Sequence, residues 1–150
     1  MRISSSISQT SRFKKANQSL EKLAEQEALA LEIGFFKTAR YPDGKHVAQV
    51  AFENDFGTSK IPSRPFFRNA IRDNQKKWCD LASKQISEGK DFKTALGLVG
   101  EQARGDIIRS IDKTSTPPNS PLTILQKGSS KPLIDTGMMR RSVSWSVGND

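Results

Sequence analysis

Apolar and polar side chains alternate along this chain with two different periods. Leu29, Leu31, Ile33 and Phe35 alternate with Ala30, Glu32, Gly34 and Phe36, which predicts a strand with one apolar face. The same period of two returns near the far end, where Val143, Trp145 and Val147 alternate with Ser142, Ser144 and Ser146. These two segments are natural partners for one another. Between and before them the spacing is helical. Ala16, Leu20, Leu23 and Ala24 predict a helix over Phe13–Glu27, and Val47, Val50, Ala51 and Asn54 predict one over His46–Phe56. Phe67, Ile71, Trp78, Leu81, Ala82, Gln85 and Ile86 form the stripe of a long helix from Pro65 to Glu88, stopped by Gly89. Phe92, Ala95, Leu96, Val99, Ala103, Ile107 and Ile111 define a second, from Asp91 to about Asp112. Gly97, Gly100 and Gly105 each cost that helix about 1 kcal/mol relative to Ala, so either close packing compensates or the helix breaks near Gly105.

Tyr41-Pro42-Asp43-Gly44 has the chemistry of a turn. Residues 114–130, with Pro117, Pro118, Pro121 and Gly128 among small polar residues, read as a long loop. Residues 1–12 are rich in Ser, Gln and Thr and read as a mobile arm. The expected fold is therefore α+β: one domain over residues 13–150, with a small, mainly antiparallel sheet packed against three or four helices. The two alternating strands and one more would make that sheet. A two-stranded pairing is marginal alone, so neighbours are expected to cover or complete its edges.

The most constrained stretch is Asn54-Asp55-Phe56-Gly57-Thr58-Ser59-Lys60-Ile61-Pro62-Ser63-Arg64-Pro65-Phe66-Phe67. Gly57 supplies the positive φ that ends a helix, while Pro62 and Pro65 fix two φ angles and push Ile61 and Arg64 toward extended geometry. Pro65 also suits a helix start. Phe56, Phe66 and Phe67 are expected to pin this elbow onto the core. A connection this stiff holds two helices at a set angle.

Composition narrows the function. Hydrophobic residues make up 35% of 150 residues, and adding the 10 Gly still falls short of the usual apolar share of about 45–50%, so the core is thin for the length. His46 and Cys79 are each the single residue of their type, which rules out a His/Cys metal cluster within one chain. His46 reads as a helix-start or surface residue, and Cys79 as a half-buried structural thiol beside Trp78. No Gly-rich phosphate loop follows a strand, and the pairs Glu53 with Asp55 and Asp106 with Asp112 lack the apolar setting that separates an acid from a base. The expectation is no enzyme, no cofactor and no metal. Met1-Arg2-Ile3-Ser4-Ser5-Ser6 has no apolar run, and no stretch reaches the length of a membrane span, so a chain folded in a cytoplasm, with no membrane partner, is expected.

The net charge is +8. Arg64, Arg68, Arg72 and Lys76 recur every four residues, a ridge that would face solvent, an acidic partner groove or DNA phosphate. Asp135-Thr136-Gly137 reads as a cap on a short helical turn through Met138 to Arg141 that feeds the last strand.

Two of these segments carry a resemblance. Asn54-Asp55-Phe56-Gly57-Thr58 followed by Ile61-Pro62-Ser63-Arg64-Pro65-Phe66-Phe67-Arg68 resembles a signature of tailed-bacteriophage tail-completion (neck, or head–tail joining) proteins. So does the downstream run Lys131-Pro132-Leu133-Ile134-Asp135-Thr136-Gly137-Met138-Met139-Arg140-Arg141-Ser142. The resemblance spans about Leu31 to Val147. It implies a virion protein, assembled in the bacterial host cytoplasm, that forms a homo-oligomeric ring, a hexamer, at the head-proximal end of the tail tube. Its partners would be copies of itself, the tail tube or terminator, and the head-neck connector proteins, with DNA passing through the ring unread. Phe56, Gly57, Pro62, Arg64, Pro65, Phe66, Asp135, Thr136, Gly137, Arg140 and Arg141 would then be motif and subunit-interface residues. A tail terminator or head-closure protein of the same neck is the nearest alternative. A basic DNA-binding protein comes next, and a small nuclease or lysis enzyme last.

Overall fold

The computed structural model describes residues 18, 29–128, 130–134 and 137–149. The arm expected at 1–12 and the helix expected over Phe13–Glu27 lie outside the described residues, apart from Gln18. The rest forms an α+β unit. Strand β1 (Leu29–Phe35) is followed by helices α1 (Val47–Phe56), α2 (Phe66–Ser87), α3 (Phe92–Lys113), α4 (Pro121–Lys127) and α5 (Met138–Ser142), then strand β2 (Val143–Asn149).

The two alternating segments pair as their periods require. β1 and β2 run antiparallel, with Leu31 opposite Val147, Ile33 opposite Trp145 and Phe35 opposite Val143, so the apolar sets share one face. That face packs on α3. Among the described residues the sheet has two strands only; the expected third is reduced to an isolated bridge between Arg40 and His46. The chain there turns too soon for a ladder. Lys45 NH donates to Asp43 Oδ1, and Tyr41 NH to the Lys45 carbonyl, within five residues.

Helices α2 and α3 form an antiparallel hairpin. Asp91 caps α3, its side chain accepting from the Thr94 NH at 2.9 Å. The hydroxyl of Ser110, near the end of α3, donates to the Phe66 carbonyl at the start of α2 (2.7 Å). α3 does not break at Gly105. Its inner stripe includes Ala95, Val99, Gly100, Ala103, Ile107 and Ile111, the spacing read from sequence. Close packing replaces the lost helix propensity: a Cβ on Gly100 would stand 2.5 Å from the Trp145 ring of β2. Trp145 thus lies flat over a glycine notch, and its Nε1 donates to Glu101 at 2.9 Å.

Three expectations need correction. The stretch 114–130 is not all loop: Pro121–Lys127 is helical, capped by Ser120, whose hydroxyl accepts from the Thr123 NH, with Pro121 at the first position and Gly128 at the end. With α5 this makes five helices among the described residues. On α2 the most buried apolar residues are Phe66 and Ala70, one position before the expected Phe67 and Ile71, which line the flank. Cys79 is exposed, because Trp78 takes the side of the helix that faces α3.

The core joins distant segments. Val47 and Ala51 of α1, Phe66 and Ala70 of α2, Ile107 and Ile111 of α3, Leu133, Met139 and Val143 form one buried cluster. Phe66, with 1% exposure, sits near its centre, and its ring meets Phe35 edge-on at 6.3 Å.

Candidate interaction surface

The elbow between α1 and α2 is built by backbone geometry first. Gly57 follows α1 with φ 80°, and its NH donates to the Glu53 carbonyl. A Cβ at Gly57 would stand 2.8 Å from the Ser63 nitrogen, so both conformation and space demand glycine. Thr58 Oγ1 then accepts from the Lys60 and Ile61 NH groups, folding the chain into a tight loop toward Pro62. Pro65 precedes the first residue of α2 with φ −75°, as expected for a proline at a helix start.

Asp55 closes the elbow. It lies on the inner side of α1 behind Val47 and Ala51, four residues apart each time, and is buried. Its Oδ1 accepts from the Phe67 NH (2.8 Å) and the Arg68 NH (3.4 Å), capping α2 from another helix. Its Oδ2 accepts from Arg68 Nε at 2.7 Å. Arg68 Nη2 and Ser63 Oγ donate to the Asp55 carbonyl.

Arg64 is the second closure and departs from the sequence reading. It lies before α2, not on it, so the four-residue spacing that placed it on a ridge does not apply. Its residue surface is 4% exposed. Nε donates to the Pro117 carbonyl (2.7 Å) and Nη2 to the Pro118 carbonyl (3.2 Å) and Asn119 Oδ1 (3.5 Å); Nη1 donates to Asn54 Oδ1 (3.4 Å). All four acceptors are neutral, and burial pushes the guanidinium pKa below its ordinary value. Asn119 in turn donates from Nδ2 to the Lys131 carbonyl at 3.4 Å. A polar relay therefore runs from the elbow through Pro117–Asn119 to the start of the second signature segment. Within that segment Leu133 and Met139 enter the same apolar cluster as Phe66. The two segments also flank a groove of about 280 Å³ with Asn54 on one side and Pro132, Leu133 and Met138 on the other.

Of the rest of that segment, Asp135 and Thr136 lie outside the described residues. Gly137 precedes α5 with φ 72°. Arg140 pairs with Asp112 at 3.2 Å, anchoring α5 to α3, while Arg141 is exposed.

The basic ridge is held by carboxylates. Arg68 pairs with Asp55, Arg72 with Asp73 (2.8 Å) and Lys76 with Asp80 (2.7 Å). Hydrogen bonding to Asp73 and to Asp80, followed by their charge, raises the pKa of Arg72 and Lys76. Each ridge cation on the helix thus has an acidic partner close by.

Phe56 is not pinned to the core. One residue beyond Asp55 turns it about 100° from the inner stripe, and it is 50% exposed. It stacks on Phe52 at 4.6 Å, itself 61% exposed, and the Arg68 guanidinium sits 4.2 Å from its ring centre. Behind these rings Ile33, Phe35, Ala48, Phe67 and Ile71 line an open apolar groove of about 440 Å³ between β1, α1 and α2.

A polar groove of about 370 Å³ between α2 and α3 contains Asp73, Asp106, Arg109 and Lys113. Burial raises the Asp106 pKa, but hydrogen bonds from Trp78, Lys77, Gln102 and Arg109 outweigh it and hold the carboxyl below its ordinary value of 3.8. Its oxygens are 3.1 Å from Lys77 Nζ and 2.8 Å from Trp78 Nε1. So saturated a carboxylate braces two helices and is a poor proton acceptor. Among the described residues no group of three or more His, Cys, Asp or Glu side chains is placed to hold a metal ion, and no helix is long and apolar enough to cross a membrane. His46 stands at the start of α1 with Nδ1 3.0 Å from the Lys37 carbonyl, an acceptor, so that nitrogen carries the proton.

Sequence reasoning missed the roles of Asp55, Asp106 and Asn119. The first two had a signal: each is an acid on the apolar stripe of its helix, which requires a buried partner. Asn119, in a proline-rich stretch, had none. Set against protein-family models, curated proteins and solved structures, the chain matches none.

Proposed function

We propose that this chain is a structural subunit of a tailed-phage neck, a tail-completion protein. It forms a ring on the head-proximal end of the tail tube and joins it to the head, with DNA passing through unread. The observation that carries the reading is the convergence of the two signature segments. Residues 54–68 and 131–142 are remote in sequence, yet they share a core through Phe66, Leu133 and Met139 and are linked by the Arg64–Asn119–Lys131 relay. Two short motifs that resemble one family and fold into a single unit support that family more strongly than either motif alone.

The rest of the molecule fits a building block. Its two-stranded sheet has both outer edges unpaired among the described residues. Apolar surface stands open on α1 and α4. A cyclic ring would cover such surfaces with copies of the same chain. Electron microscopy of virions assembled without this protein tests the proposal. Full heads separate from finished tails are the expected result; joined particles would remove it.

A further inference from the structure

We infer that the Phe52–Phe56 groove receives helix α4 of a second copy of this chain, head to tail, and that this contact builds the ring; the inference rests on the neck proposal. Two observations choose the occupant. First, α4 presents an exposed apolar ridge. Leu122 and Leu125 are 68% and 83% exposed and, three residues apart on a helix, share a face. An apolar helical turn is the shape a groove between a strand and two helices accepts.

Second, the two surfaces lie on opposite sides of α1. Phe52 and Phe56 border the apolar groove, whereas Val50 and Asn54 border a different groove together with Lys127, the last residue of α4. Two residues along a helix is a rotation of about 200°. The ridge therefore cannot fold into the groove of its own chain across α1, and a donor on one side with an acceptor on the other makes a head-to-tail contact, which closes into a ring where the rotation between copies allows.

The test uses the full chain with Phe52→Asp, which blocks the acceptor, and with Leu125→Asp, which blocks the donor. Both positions are exposed, and circular dichroism checks that each variant folds. Sedimentation of each alone at about 1 mM, where weak contacts populate, is expected to give monomer, and a one-to-one mixture is expected to give a heterodimer that grows no further. Each substitution should weaken assembly at least about tenfold. No heterodimer in the mixture, or wild-type assembly by either variant alone, overturns the inference. Phe52→Cys in a Cys79→Ser background, if the new thiol resists thiol reagents in dilute monomer, would mean that the chain fills its own groove, and would also overturn it. The two readings fail separately. Closed oligomers that ignore both substitutions remove this interface and leave the neck proposal standing; joined virions without the protein remove the neck proposal even where the mixture dimerises.

Discussion

Two of the buried charged side chains, Arg64 and Asp106, are satisfied in opposite ways. Arg64 sits among neutral acceptors where the chain is irregular: the end of α1, the elbow and Pro117–Asn119. Asp106 sits between two long helices already joined by apolar contacts, ringed by Lys77, Trp78, Gln102 and Arg109. Arg64 substitutes for secondary structure. No ladder is available to the Pro117 and Pro118 carbonyls, and one planar guanidinium satisfies both while reaching α1. Asp106 adds polar bonds between helices that also share the apolar cluster of Phe66, Ala70, Ile107 and Ile111. The lesson is that the elbow depends on a few polar bonds, whereas the hairpin depends on area.

Changing the two charges should expose that asymmetry. Arg64→Ala leaves several buried acceptors unmet and opens a cavity, so a loss of about 3–5 kcal/mol is expected from urea unfolding. Arg64→Lys should recover less than half, because a single ammonium cannot span the acceptors. Equal stability of Arg64→Ala and wild type would break the comparison.

Next comes the glycine notch. Gly100→Ala gains helix propensity of about 1 kcal/mol but drives a methyl into the Trp145 ring, for a net loss of about 1–3 kcal/mol and a changed tryptophan emission. Asp106→Asn should cost less than Arg64→Ala, about 2 kcal/mol near neutral pH. Its pH signature sharpens the comparison. The folded pKa of Asp106 is depressed, so its contribution is present above the ordinary value of 3.8 and is lost as pH falls through the lower folded value. The wild-type stability curve should therefore fall more steeply below about pH 4 than that of the Asn variant. Arg64 contributes no such slope anywhere in that range. Smallest of all, Arg72→Gln with Lys76→Gln should leave the urea midpoint unchanged, since both side chains are exposed on the helix surface.

The regular parts of the fold could be read from the sequence because periodicity reports burial directly. Val143, Trp145 and Val147 pair with Leu29–Phe35 in the register their alternation required, and α3 keeps its expected stripe. Gly57 and Pro65 announced the elbow through backbone chemistry alone. What the sequence concealed depends on tertiary direction. Arg64 looked like the first member of a ridge, yet the proline after it puts the residue outside the helix and turns it inward. Phe56 looked like an anchor, yet Asp55 holds the inward position. Helix α4 was hidden because three prolines in the stretch from Thr114 to Ser130 outweighed the Ser120–Pro121 start signal and the Gly128 stop.

The most direct measurement adds purified chain to heads and tails assembled without it and counts joined particles by electron microscopy. The neck proposal predicts that wild-type protein restores joined, infectious particles; the inferred contact between copies adds that Phe52→Asp or Leu125→Asp protein restores few. Heads and tails that remain separate with wild-type protein present, or that join equally well without it, would contradict the account.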